Sequence, residues 1–131
     1  MKFRQAWVIA FIILVLSMVV SGQTTSSLTA EVQVCTGIQE RMPTGMADSL
    51  PANVGQAYLW CKIIGAKEPT TIKHVWYYGG AEKSSVELPV NSISWRTWSA
   101  KKILPNMTGE WTVKIMDAQG NLIKEVSFKV Y

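Results

Sequence analysis

The stretch from Gly109 to Tyr131 shows the clearest alternation of apolar and polar positions in the chain. Alternate positions on both sides of a short turn form one face, which carries Trp111, Val113 and Ile115 before the turn and Leu122, Lys124, Val126, Phe128 and Val130 after it; all of these except Lys124 are apolar. This period predicts a β-hairpin. Asp117 is placed to accept hydrogen bonds from the turn amides, and Gly120 is placed to adopt a positive φ. We expect Trp111, Val113, Val126 and Phe128 to face a core.

Further strands are indicated by the same period, or by a high density of β-branched and aromatic residues, at Glu31–Ile38, Val54–Ile64, Thr71–Tyr78, Ser85–Val90 and Trp95–Ile103. Gly79 and Gly80 predict a two-residue turn. Pro89 cannot donate to a ladder, so we expect its strand at a sheet edge. The segment from Gln39 to Asn53 shows no clear period and is interpreted as a long crossover between two sheets.

About seven short strands without a helical stretch predict an all-β domain. The fold we expect is an immunoglobulin-like antiparallel β-sandwich that follows an N-terminal signal peptide. A small barrel is the alternative. The predicted domain spans residues 31–131, and the Ser/Thr-rich residues 23–30 are interpreted as a flexible tether.

Residues 1–22 have the layout of a secretory signal peptide. Lys2 and Arg4 precede an apolar run from Ala6 to Val20, and small or polar residues follow up to Gln23. We therefore predict cleavage near Gln23 and a periplasmic or secreted domain. The alternative is an uncleaved segment, residues 4–20, that anchors the protein in the inner membrane, although it is shorter than the roughly 18 residues of a spanning helix.

The net charge of the chain gives little information about its partners. The formal net charge of +4 falls to +2 when the two cations Lys2 and Arg4 are removed with the signal peptide. Such a weak charge favours neither nucleic acid nor an anionic membrane surface, so we expect no nucleic-acid partner and membrane contact only through the N-terminal segment.

The two cysteines, Cys35 and Cys61, are predicted to form a disulfide because exported chains mature in an oxidising compartment. However, Cys35 shares a strand face with Gln33 and Gly37, which suits a core position poorly.

No motif for catalysis stands out. His74 is the only histidine, and neither a Gly-x-Ser-x-Gly elbow nor a local cysteine motif accompanies it. We expect a structural histidine on a strand face. Cys35, Cys61 and His74 lack metal-type spacing, so no metal and no cofactor is predicted. The acidic residues are scattered, and we predict that the protein is not an enzyme.

Aromatic residues supply the candidate binding site. Five of the six tryptophans lie in the predicted domain, more than its core needs. Trp95 and Trp98 are three positions apart and so point to opposite faces of a strand. Arg96 shares a face with Trp98, and this pair is the first candidate for ligand binding.

A second candidate group, His74, Trp76 and Tyr78, alternates on one face of the most aromatic strand. Two alternatives remain open. The inward face of this strand could instead carry Ile72 and Trp76 and leave Val75 and Tyr77 outside. The aromatic rings could also simply fill the core or cover an outer sheet face.

Several segments resemble the bacterial domain of unknown function 2914. They are Ile72–Gly79, Val86–Val90, Trp95–Pro105 with its WRTWS sequence, Thr108–Asn121 with its TGEW sequence, and Phe128–Val130. The resemblance covers most of the chain from about Ala30. It implies a single β-domain in an exported or membrane-attached bacterial protein, and it implies no catalytic residue.

Together these features lead to the expectation of a non-enzymatic exported envelope domain that binds a glycan or a protein. The alternative is a purely structural accessory module of an envelope assembly, and an enzyme is the third possibility.

Overall fold

The computed structural model describes residues 25–131, in which β-strands are the regular elements. The strands are β1 Thr29–Cys35, β2 Gly37–Gln39, β3 Met42–Thr44, β4 Ser49–Leu50, β5 Gln56–Ile64, β6 Thr70–Tyr78, β7 Ala81–Val90, β8 Ser94–Lys102, β9 Gly109–Asp117 and β10 Leu122–Val130. The predicted signal peptide, residues 1–22, lies outside the described residues. Within residues 25–131 no helix is long and apolar enough to cross a membrane.

The strands form a three-stranded sheet in the order β1-β5-β8 and a five-stranded sheet in the order β4-β10-β9-β6-β7. Seven of these strands are long: β1, β5, β6, β7, β8, β9 and β10. If these seven are numbered in chain order, the three-stranded sheet contains the first, second and fifth. The five-stranded sheet contains the seventh, sixth, third and fourth, as neighbours in that order. This is the neighbour pattern of an immunoglobulin-type sandwich. The predicted fold class is therefore confirmed. One pair departs from antiparallel order, because the two-residue β4 runs parallel to the end of β10.

The core lies between the two sheets and is built around aromatic rings. Phe128 packs edge-on against Trp76, with ring centroids 6.2 Å apart, and stacks on Trp111 at 6.1 Å. Trp111, Val113 and Phe128 are buried, as predicted, and Val126 packs half-buried against them. The expected inner face of the terminal hairpin is thus confirmed.

The turn of this hairpin forms as the sequence predicts. The Asp117 carboxylate accepts hydrogen bonds from the amides of Gln119 at 3.0 Å and Asn121 at 2.8 Å, and Gly120 has a φ of 87°. The simple alternation fails just beyond the turn. A register shift between Leu122 and Lys124 reverses the facing, so that Leu122 is 47% exposed while Ile123 packs on the core.

Two other local predictions are confirmed in the five-stranded sheet. Gly79 and Gly80 both have positive φ values, 57° and 87°, and join β6 to β7 as a two-residue turn. The strand that contains Pro89 is β7, which lies at the edge of the sheet.

The irregular segment after β1 crosses from one sheet to the other, as predicted, but it also contains a hairpin that the sequence did not indicate. Strands β2 and β3 pair with each other and lie against the outer face of the three-stranded sheet. The chain then reaches the five-stranded sheet through β4, where the Lys129 amide donates to the Asp48 carbonyl at 3.0 Å.

Residues just before the predicted domain boundary at residue 31 also pack on the core. Leu28 is buried in the core cluster, its amide donates to the Ser26 hydroxyl at 3.1 Å, and β1 starts at Thr29. The last residues of the predicted tether, residues 23–30, therefore pack on the domain.

The predicted Cys35–Cys61 disulfide is wrong in this structure, where both side chains are free thiols. The ladder of β1 and β5 pairs Cys35 with Tyr58 and Cys61 with Val32. The two cysteines are thus three register positions apart, about 10 Å along the strands, and an odd offset puts them on opposite sheet faces. A disulfide needs Cα atoms within about 7 Å.

Candidate functional site

A buried polar cluster connects the two sheets. The His74 imidazole of β6 lies between Cys61 of β5 and Ser99 of β8, with Nε2 3.4 Å from the cysteine Sγ and Nδ1 2.6 Å from the serine Oγ. The indole of Trp76 donates to the same Ser99 oxygen at 3.1 Å. His74, Cys61 and Trp76 are completely buried.

One arrangement of protons satisfies this cluster. Trp76 donates to the Ser99 oxygen, the Ser99 hydroxyl donates to Nδ1 of His74, and Nε2–H of His74 donates to Cys61. The indole N–H, the serine hydroxyl hydrogen and the imidazole N–H then each have an acceptor. A doubly protonated imidazole would leave the serine hydroxyl hydrogen without this acceptor, so the cluster favours neutral His74.

Burial also keeps the two titratable members uncharged. It lowers the pKa of His74 to about 4 and raises the pKa of the Cys61 thiol to about 12. A nucleophilic cysteine needs a lowered pKa and access to a substrate, and this cluster provides neither. Its arrangement suits a hydrogen-bonded link between sheets, which is the structural role predicted for His74.

The second predicted binding group therefore faces the core. His74 and Trp76 are fully buried, and the half-buried Tyr78 packs on Trp111 at 4.8 Å and donates its hydroxyl to the Thr108 carbonyl at 2.7 Å. The alternative left open by the sequence, with Trp76 inside and Tyr77 outside, describes this strand.

The first predicted group lies on β8 at the surface. Arg96 is exposed and Trp98 is half-buried on the outer face of the three-stranded sheet. The Arg41 side chain, from the turn between β2 and β3, lies beside them. Its guanidinium carbon is 5.2 Å from the ring centroid of Trp95 and 5.4 Å from that of Trp98, within cation–π range of both.

Hydrogen bonds complete this surface cluster, which we define as Arg41, Met42, Trp95, Arg96 and Trp98. The Arg41 guanidinium donates to the Arg96 carbonyl oxygen, and the Arg96 guanidinium contacts the Met42 sulfur at 3.0 Å. The cluster thus joins the β2–β3 turn to β8 through both side chains and backbone.

The turn that carries Arg41 is strained. Glu40 and Arg41 have φ values of 52° and 63°, which non-glycine residues rarely adopt. A two-residue hairpin turn of this kind normally uses Asn or Gly. Here tertiary contacts hold it, because the Trp60 indole donates to the Arg41 carbonyl at 2.9 Å. Strain held in this way is often associated with functional sites.

An open groove of about 310 Å³ runs beside the cluster. It is lined by Glu31, Met42, Trp60, Lys62, Ser94 and Arg96. Arg96 was predicted from sequence, whereas Arg41 and Met42 were missed because nothing in their local sequence marks a turn. Flat rings beside directed cationic donors can bind an anionic or extended partner.

A larger groove, of about 610 Å³, lies on the outer face of the five-stranded sheet. Its lining mixes charges, with Lys73 directly opposite Glu87 and Lys114 5.1 Å from the ring centroid of Tyr77. This pattern is typical of a solvated sheet face. In residues 25–131 no group of three or more His, Cys, Asp or Glu side chains could hold a metal ion.

The strand order defines the protein as an immunoglobulin-type β-sandwich domain. Among protein families, residues 69–130 match the one described as Protein of unknown function (DUF2914). These residues are thus similar to that family, which confirms the resemblance predicted from sequence. The match begins after β5, later than the expected start near Ala30. No curated protein matches the chain.

Proposed function

We propose that this protein is a non-enzymatic, exported binding module of the bacterial cell envelope, with the surface cluster around Arg96 and Trp98 as its contact site. The observation that carries the proposal is the strained turn at Arg41, which presents a guanidinium group between two tryptophan rings on β8. Arginine and tryptophan are enriched at the energetic centres of protein interfaces.

The arrangement supports binding better than a purely internal role. The hairpin adds little to the core, since Glu40, Arg41 and Met42 are all exposed. Two positive φ values nevertheless cost roughly 1–2 kcal/mol each. A conformation that is unfavourable for the isolated turn is understandable if the turn positions groups for a partner.

The absence of a catalytic role is proposed on separate grounds. The grouping that most resembles catalytic machinery, Cys61, His74 and Ser99, is buried and is kept neutral by burial. The exposed cluster offers cationic donors and apolar rings, which suit recognition of an envelope glycan or protein.

The site is tested with Arg96→Ala and Trp98→Ala, and with Lys73→Ala on the opposite sheet as the matched control. Each purified domain is incubated with peptidoglycan sacculi and, separately, with solubilised envelope protein. We expect both cluster variants to lose capture while their melting temperatures stay within a few degrees of the wild type, and Lys73→Ala to retain capture. Capture that is equal in all three variants would exclude the cluster as the site.

The alternative, a structural accessory module, makes a different prediction. The cluster variants would then melt at lower temperature without any change in capture.

The proposed export of the protein is based on the predicted signal peptide, and intact-mass analysis of the mature protein tests it. A mass that starts near Gln23 supports export with cleavage, whereas a mass that retains residues 1–22 indicates an anchored protein.

A further inference from the structure

We propose that the free edge of β8 is a docking site at which an acidic, extended segment of a partner protein adds as a further strand to the three-stranded sheet. This inference rests on the proposed function and names the partner class and the binding mode. It starts from the position of β8, which pairs with β5 on one side and is the last strand of its sheet on the other.

The direction of the β8 backbone groups follows from one hydrogen bond. The Arg41 guanidinium donates to the Arg96 carbonyl, so this carbonyl points away from β5. In an antiparallel ladder both backbone groups of a residue point the same way, and the direction alternates along the strand. The N–H and C=O groups of Arg96, Trp98 and Ala100 therefore face the free edge, whereas those of Thr97 and Ser99 face β5.

Natural proteins usually protect a free edge with charged side chains, with proline, with a bulge or by covering it. Strand β8 contains no proline, and its register with β5 is unbroken over nine pairs from Ser94 to Lys102. Among the described hydrogen bonds, the Arg41 side chain is the group that occupies this edge. An exposed, flexible side chain can move aside, so Arg41 blocks random pairing but leaves room for a specific partner.

Charge identifies the partner. Strand β8 carries Arg96, Lys101 and Lys102 and no acidic residue, and Lys62 lies directly opposite Arg96 on β5. An acidic strand complements these charges. A second copy paired through the same edge would instead bring cationic strands together, which is destabilising.

The side chains around the edge fit an extended peptide. Trp95 and Trp98 lie on opposite faces of β8, so each can contact alternate side chains of an added strand. In strand addition the backbone hydrogen bonds provide affinity, and contacts to alternate side chains provide specificity.

The test uses hydrogen exchange by NMR with a synthetic peptide of about ten residues that alternates glutamate and valine, long enough to pair with β8. We expect saturating peptide to slow exchange of the Arg96, Trp98 and Ala100 amides at least tenfold. The Thr97 and Ser99 amides, already bonded to β5, should change little. A lysine–valine peptide of the same length is the charge control.

Ala100→Pro provides the sharpest variant. The Ala100 N–H faces the free edge, so proline removes an edge donor without breaking the ladder to β5. We expect at least a tenfold loss of peptide affinity with melting preserved, and Ala100→Val as the matched control should bind like the wild type. If Ala100→Pro unfolds the domain, the amide hydrogen exchange of the wild type with and without peptide is sufficient to test strand addition.

Strand addition would be overturned by unchanged edge amides, by equal affinity for both peptides or by full binding to folded Ala100→Pro. These outcomes leave the proposed function standing if Arg96→Ala and Trp98→Ala still abolish capture of envelope material, for example of sacculi. If Arg96→Ala and Trp98→Ala instead capture envelope material as well as the wild type, the proposed function itself is refuted.

Discussion

His74 should make the stability of this domain depend on pH in a range where most carboxylates are already ionised. Burial lowers its pKa from 6.5 to about 4 in the folded state. The unfolded chain restores a value of about 6.5, so it takes up a proton first as the pH falls. Stability is therefore complete above pH 6.5 and is lost progressively as the pH falls toward 4.

The size of this effect follows from the two pKa values. A shift from 6.5 to about 4 corresponds to about 3 kcal/mol in total, of which about 2 kcal/mol is lost between pH 7 and pH 5. That is a large part of the 5–15 kcal/mol that stabilises a typical domain. The titratable group in contact with the imidazole is the Cys61 thiol, whose pKa of about 12 keeps it neutral throughout.

Asp117 acts at lower pH. Burial raises the pKa of its carboxyl, but hydrogen bonds from Asn121, Ser26 and Gln119 outweigh burial and lower the pKa below 3.8. Its contribution to stability is present above the unfolded pKa and is lost as the pH falls through the lower folded value. It therefore adds little to the change between pH 7 and pH 5.

The assay is urea unfolding at pH 7, 6 and 5 for the wild type, His74→Gln and the exposed control Lys73→Gln. We expect the wild type and Lys73→Gln to lose about 2 kcal/mol over this range. His74→Gln should be less stable at pH 7 but nearly independent of pH. A flat wild-type profile, or a slope that survives in His74→Gln, would refute the assignment of neutral buried His74.

Two further predictions concern the core and the strained turn. Phe128→Ala removes a ring that packs on two tryptophans and should lower the free energy of unfolding by about 3–5 kcal/mol. The exposed control Ser127→Ala should change the free energy of unfolding by less than about 0.5 kcal/mol. Equal melting temperatures of the two variants would mean that the faces of β10 are reversed. Glu40→Asn places a residue that tolerates positive φ in the turn and should stabilise by about 0.5–1 kcal/mol. Arg41→Asn should not stabilise in urea titration, because it loses the contacts to the β8 tryptophans, and a gain equal to that of Glu40→Asn would show that those contacts contribute nothing.

The sheet framework could be predicted from sequence because most strands have one buried and one solvated face. In β9 the alternation of Trp111, Val113 and Ile115 with polar neighbours identifies both the strand and its inner face. The turn between β9 and β10 could also be predicted, because Gly120 adopts a positive φ and Asp117 accepts hydrogen bonds from the turn amides. Alternation and turn residues are local features of the sequence, so they can be interpreted without knowing which strands pair.

The facing of β6 could not be predicted for a physical reason. This strand lies inside the five-stranded sheet, and Val75 on the outer face is buried like Trp76 on the inner one. Alternation therefore carries no information there. The core position of His74 depends on Cys61 and Ser99, which reach it from the other sheet.

The candidate site was predicted only in part. Arg96 and Trp98 were found because arginine beside an aromatic residue in a strand is a local pattern. Arg41 was missed because its turn lacks Gly and Asn, and its conformation depends on Trp60 and β8. The disulfide prediction relied on the compartment, whereas the strand face that Cys35 shares with Gln33 and Gly37 already argued against it, in agreement with the register of β1 and β5.

The pairing of β8 with β5 has a consequence for how the family is delimited. The region that matches the family, residues 69–130, contains β8 but not β5, the strand that supplies its ladder. Taken alone, that region would hold the main strands of the five-stranded sheet and one solitary strand opposite them. The unit of similarity is thus smaller than the unit of autonomous folding. An expression fragment cut at residue 69 would leave the inner face of its sheet uncovered and prone to aggregation.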